Sequence, residues 1–144
     1  VIAAAARPNI AFLGRIPGSR RYSDLQRNPD NEPVPGVLIF RVEASVLYFN
    51  TDHVRRTVWD KTQASDAPKM VLCDLSSSPH VDVAGARMFS DLRRDLAARG
   101  ISLRLAEAHA QVRDQLRAEG LEEQVGYFGR HMSVDQAITE FLRG

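Results

Sequence analysis

The chain has 144 residues, 44% hydrophobic and 26% charged, which is enough for one soluble globular domain with a real core and too little for two. Its 19 basic and 18 acidic side chains leave a formal charge of +1, so no overall field draws it to nucleic acid or to an anionic bilayer. No apolar run reaches the roughly 18 residues that a membrane span requires. The single cysteine, Cys73, rules out an internal disulfide and fits a reducing compartment. With no basic neighbour in sequence, it reads as a small buried hydrophobe rather than a reactive thiol.

Residues 1–7 read as a helical tail or linker ended by Pro8, too short for a secretory signal core and without a basic start. The domain proper is expected over 9–144. A first strand is predicted over Ile10–Ile16. From Pro17 to Gly36, turn residues dominate, with a brief strand or turn over Tyr22–Leu25. This segment carries Arg15, Arg20, Arg21 and Arg27, enough positive charge to face lipid head groups or an acidic partner. Asp24 and Asp30 interrupt it, which favours an ordinary solvated loop.

Val37–Val42 is the strongest strand, and Val46–Phe49 reads as a shorter apolar continuation after Glu43-Ala44-Ser45. Asn50-Thr51-Asp52 supplies N-cap chemistry for a helix with Val54 and Val58 one turn apart. Trp59 is assigned to packing, and Ala64–Pro68 closes that helix. Met70–Cys73 is an unbroken apolar run, as expected of a strand covered on both faces. It feeds a serine loop and then a helix capped by Asp82, with Phe89, Leu92 and Leu96 at helical spacing and Gly100 as the stop. Ile101, Leu103 and Leu105 alternate with polar residues, which completes a parallel βαβ unit.

Val112 and Leu116 mark a third helix stopped by Gly120, and Val125–Phe128 reads as a small strand or turn. Ser133 and Gln136 form a capping box ahead of a last helix with Val134, Ile138, Phe141 and Leu142 as its inner stripe. The whole is an α/β fold with a mostly parallel or mixed central sheet and four to five helices.

Catalytic constellations are poorly represented. His53, His80, His109 and His131 are scattered outside any HxxxH or HExxH spacing, so no metal site is assigned. Neither GxSxG, nor GxxxxGK[ST], nor GxGxxG occurs. The candidate site is instead the loop at the carboxyl end of the central strand: Asp74, Ser76, Ser77, Ser78, His80, Asp82 and Gly85. A strand entering a helix there presents backbone N–H groups at a positive helix end, suited to an anion, a nucleotide or a partner protein. Asp74 lacks the neighbouring carboxylates of a magnesium site, Asp82 is explained as an N-cap, and the serines read as loop and capping hydroxyls.

Three stretches carry a resemblance: Pro35-Gly-Val-Leu-Ile-Phe-Arg-Val-Glu-Ala-Ser-Val-Leu-Tyr-Phe-Asn50, Val71-Leu-Cys-Asp-Leu-Ser76 and Val81-Asp-Val-Ala-Gly85. Together they resemble the STAS domain (sulfate transporter and anti-sigma factor antagonist) at the cytoplasmic carboxyl end of SulP-family anion transporters. The similarity extends to Leu13–Pro17, Tyr22–Asp24, Arg99–Ile101, Val112–Arg113 and Gly120–Leu121. It implies the STAS (SpoIIAA-like) fold and a non-catalytic regulatory module without cofactor. The parent would be a multi-pass inner-membrane protein moving sulfate, bicarbonate or dicarboxylate, with this soluble part on the cytoplasmic face of the membrane and residues 1–8 as the linker.

The implied partners are the transmembrane domain of the same polypeptide, a cytosolic regulatory protein, a nucleotide such as GTP or ATP, and a second copy of the chain; nucleic acid is not among them. In the family's anti-sigma-factor antagonists a phosphorylatable serine follows the aspartate of this loop. Here Val83 and Ala84 follow Asp82, so that switch has no hydroxyl at the matching place.

Overall fold

A computed structural model describes residues 6–64 and 66–144. Most of the tail expected over 1–7, and Ser65 within the 64–68 connection, lie outside the described residues. Five strands form one sheet in the order β2-β1-β3-β4-β5: β1 Ile10–Arg15, β2 Tyr22–Asp24, β3 Val37–Val42, β4 Met70–Asp74 and β5 Ser102–Ala106. The β2-β1-β3 pairs are antiparallel and the β3-β4-β5 pairs parallel. The mixture follows from the connections: loops join the first three strands, whereas helices α1 (Thr51–Thr62) and α2 (Val83–Ala97) carry the chain back across the sheet before β4 and β5.

Strand alternation divides the core into two unequal parts. Phe40, Val42, Val71, Cys73, Leu103 and Leu105 point into the larger one. There they meet Val54 and Val58 of α1, Phe89, Leu92 and Leu96 of α2, Val112 and Leu116 of α3 (Ala110–Ala118), and Leu121 and Val125 of α4 (Leu121–Val125). Ala11, Leu13, Ile39, Met70, Leu72 and Ala106 face the other way, covered by Val34 and by Val134, Ala137 and Ile138 of α5 (Val134–Leu142). Trp59 packs on the rim of the larger core with the Arg99 guanidinium 5.3 Å from its ring centre. The arginines of the β1–β2 segment are partly engaged: Arg15 bonds the Tyr22 hydroxyl and Arg20 bonds Asp135.

Several local expectations are corrected. Val46–Phe49 does not continue as a strand. Val46 makes one isolated bridge to Val81, and the next N–H groups are taken by side chains, Leu47 N–H by Asn50 Oδ1 (3.1 Å) and Tyr48 N–H by Asp82 Oδ2 (2.9 Å). Asn50 occupies the N-cap position of α1, but its side chain braces the preceding turn instead of capping the helix. Val125 ends the short helix α4, and Gly126, at φ 88°, breaks it where a strand or turn was expected.

The capping box is half made. Ser133 Oγ accepts from Gln136 N–H (3.0 Å), while the Gln136 side chain turns forward to Glu140. Leu142 does not belong to the inner stripe of α5, being 60% exposed where the helix runs out. Phe89→Ala, in the larger core, should therefore cost about 3–5 kcal/mol in chemical denaturation. Leu142→Ala should stay within about 0.5 kcal/mol.

Candidate functional site

The candidate loop follows β4 at the carboxyl edge of the parallel strands, and the structure splits its residues between the two sides of the sheet. Asp74 shares the α5 face with Met70 and Leu72; its Oδ1 accepts from Ser76 N–H (2.8 Å) in a tight turn, and its Oδ2 lies 3.9 Å from Arg41 Nη1. Ser78 is fully buried, its hydroxyl donating to the Ala44 carbonyl (2.8 Å) at the end of β3. Ser76 is exposed, Ser77 half-buried, and His80 exposed with its backbone N–H on Ser45 Oγ (3.1 Å).

Asp82 is the hub of the other side. Its Oδ1 accepts from Gly85 N–H (2.7 Å), which closes the first turn of α2, and its Oδ2 accepts from Tyr48 N–H. Gly85 is present for closeness: a Cβ there would lie 2.4 Å from the Val46 carbonyl oxygen, a contact no side chain tolerates. The β5–α3 connection braces the same loop. His109 Nε2 donates to the Ser76 carbonyl (2.9 Å), and the Gln111 amide reaches both the N–H and the carbonyl of Val81. The imidazole therefore holds backbone and is not aimed at a serine hydroxyl.

On the α5 side lies a cleft of about 680 Å³, lined by Arg20, Tyr22, Arg41, Asp74, Glu107 and Asp135 among others. Its charges largely answer one another. Arg20 bonds Asp135 Oδ2 (2.9 Å), the Tyr22 hydroxyl donates to Asp135 Oδ1 (3.0 Å), and Arg41 bonds Glu43 (3.2 Å). Burial pushes the Tyr22 phenol above its usual value, so it serves as a neutral donor. Glu107 is held at φ 61° with its N–H on the Met132 carbonyl, and its Oε2 accepts from Val134 N–H (2.9 Å) at the start of α5.

Sequence reasoning brought Asp74 and Ser76 to this edge but missed the cleft, because Arg20 and Asp135 are 115 residues apart. It also missed the exposed rings of Tyr48 and Phe49; the N-cap signal at Asn50 was the available hint that they precede a helix rather than end a strand. Cys73 is fully buried, and burial pushes its thiol well up, which removes it as a nucleophile. Among the described residues, no three His, Cys, Asp or Glu side chains gather to hold a metal ion.

The family model of the STAS domain matches residues 28–137. The chain belongs to the STAS domain family. It is 26% identical to high affinity sulfate transporter 2 of Stylosanthes hamata over 98% of its own length and 23% of the transporter's. It is 28% identical to a probable sulfate transporter of Mycobacterium tuberculosis, over 96% of this chain and 25% of that one. The chain thus spans about a quarter of the length of these relatives. In fold it is similar to part of the murine Solute Carrier 26 family member A9 anion transporter (TM-score 0.87, 19% identity, 99% of this chain and 24% of that chain). The SulP transporter STAS domain of Vibrio cholerae is similar over 82% of this chain and 94% of its own (TM-score 0.59, 17% identity). No helix among the described residues is long and apolar enough to cross a membrane.

Asp82→Ala removes one helix cap and one loop clamp together and should lower stability by about 1–2 kcal/mol in urea unfolding. In the folded chain, Cys73 should react with a thiol reagent only at the rate of global unfolding, and labelling should become immediate in denaturant.

Proposed function

We propose that this STAS domain is the regulatory, non-catalytic module of a SulP-type secondary transporter of sulfate or a related anion such as bicarbonate or a dicarboxylate. On this reading a transmembrane domain of the same polypeptide carries it at the cytoplasmic face of the membrane, with residues 1–8 as the linker. The observation that carries the reading is that nearly the whole chain aligns with about a quarter of a sulfate transporter. The local chemistry agrees with regulation by contact. Ser78, Asp82 and His109 are all engaged with backbone, and Asp74 is folded into its own turn.

A nucleotide reading, with the loop from Ser76 to His80 and the start of α2 as the anion seat, is less well supported. The Asp82 carboxylate already takes the Gly85 N–H and sets a negative charge where a phosphate would sit. A phospho-switch of the anti-sigma-factor-antagonist type would need another hydroxyl, since Val83 and Ala84 offer none. Exposed Ser76 is the available acceptor. A cytosolic regulatory protein and a second copy of the chain are further candidate partners.

In the full-length polypeptide, removal of residues 9–144 is expected to lower anion uptake or the amount of transporter reaching the membrane. Normal uptake at a normal membrane level overturns the regulatory reading. Calorimetric titration of the 144-residue chain with GTP and ATP is expected to give no saturable heat at millimolar ligand; a saturable isotherm lost in Ser76→Ala would establish the nucleotide alternative.

A further inference from the structure

The loop between β3 and α1 holds two aromatic rings in solvent. Tyr48 is 74% exposed and Phe49 38%, their rings meeting edge to face with centroids 5.2 Å apart. Val83, at the start of α2 and next to the Asp82 that clamps Tyr48, is 42% exposed. The backbone below is held at several points. Val46 N–H donates to the His80 carbonyl (3.1 Å), Asp82 N–H to the Val46 carbonyl (3.3 Å) and Leu47 N–H to Asn50 Oδ1. A loop braced in this way has little freedom left to lose when its rings are covered, so more of the burial energy appears as affinity. Clustered, rigidly presented aromatic side chains on a surface are the usual anchors of a protein contact.

Three observations select the occupant. The chain enters the domain beside this patch: the Pro8 carbonyl accepts from His53 Nε2 (3.0 Å) in the first turn of α1, and Asn9 bonds Glu43 at the end of β3. The patch is also small. Three side chains with these exposures present on the order of 300 Å², against about 800 Å² a side in a stable untethered complex. A patch of that size serves a partner held close by covalent linkage, where effective concentration supplies the rest. Finally, the groove beside Val83 is rimmed by Asp52, Arg55, Arg87 and Asp91, two acids and two bases, which offer no net field to anionic lipid and suit a mixed protein surface.

We infer that Tyr48, Phe49 and Val83 form the face by which this domain docks on the cytoplasmic surface of its own polypeptide's membrane-embedded transport domain. The inference rests on the function proposed above. Its test uses the full-length polypeptide in its membrane, with Tyr48→p-benzoylphenylalanine and, separately, Val83→p-benzoylphenylalanine photolysed and the adducts mapped by mass spectrometry. Tyr127→p-benzoylphenylalanine, at a site 53% exposed in the loop after α4, is the control.

Positions 48 and 83 are expected to join transport-domain peptides, of either copy, and position 127 is not. Adducts from 48 and 83 to residues 9–144 of a second copy, to a cytosolic protein or to lipid, or no adduct at all, overturn the inference. The underlying reading fails separately if the polypeptide contains no membrane-spanning segments. The isolated chain carrying Tyr48→Ser is expected to keep its melting temperature within a few degrees, which separates loss of docking from loss of fold.

Discussion

One carboxylate holds the carboxyl edge of this sheet together. Asp82 spends one oxygen on the first turn of α2 and the other on the Tyr48 N–H, so a helix start and a loop from another part of the chain share a single side chain. The missing Cβ at Gly85 makes the arrangement possible by letting the Val46 carbonyl lie against the helix. From these two contacts the rest of the edge follows. Val46 pairs across to the segment around Val81, Ser78 sinks below it to close the end of β3, and His109 and Gln111 fasten the loop from the far side.

Three of the candidate-loop residues, Asp74, Ser78 and Asp82, are used by the fold as fasteners, and His109, outside that loop, is another. A hydroxyl, an imidazole and two carboxylates bind backbone groups that would otherwise be left without partners where strands stop and helices begin. What this edge offers outward is shape and apolar surface, which fits a family whose curated relatives carry the domain as about a quarter of a transporter.

The sheet and its main helices were readable because their periodicities are unambiguous. Val37–Phe40 and Met70–Cys73 are apolar throughout, and Phe89, Leu92 and Leu96 recur at helical spacing. The failures have physical causes. Val46–Phe49 has strand-forming side chains, but its N–H groups are claimed by Asn50 and by Asp82, 34 residues away from Tyr48, and no local pattern reports so distant an acceptor. Helix α4 is five residues long, too short to display a period, and a glycine of positive φ at each end defines it better than its side chains do. In the candidate loop, the cap at Asp82 was legible from spacing. That Asp74 faces the opposite side of the sheet from Asp82 became visible only when β4 was set in register between its neighbours.

The unequal division of the core has a further consequence. The lesser face is covered mainly by one helix, pinned at its beginning by Glu107, Ser133 and Asp135 and towards its end by Arg104 on Glu140, with Leu142 beyond it in water. Lifting that helix uncovers a handful of aliphatic side chains and leaves the four-helix side shut. With fewer apolar contacts to break than the larger core, the lesser face is where partial opening is expected to cost less than complete unfolding, on the side away from the aromatic loop.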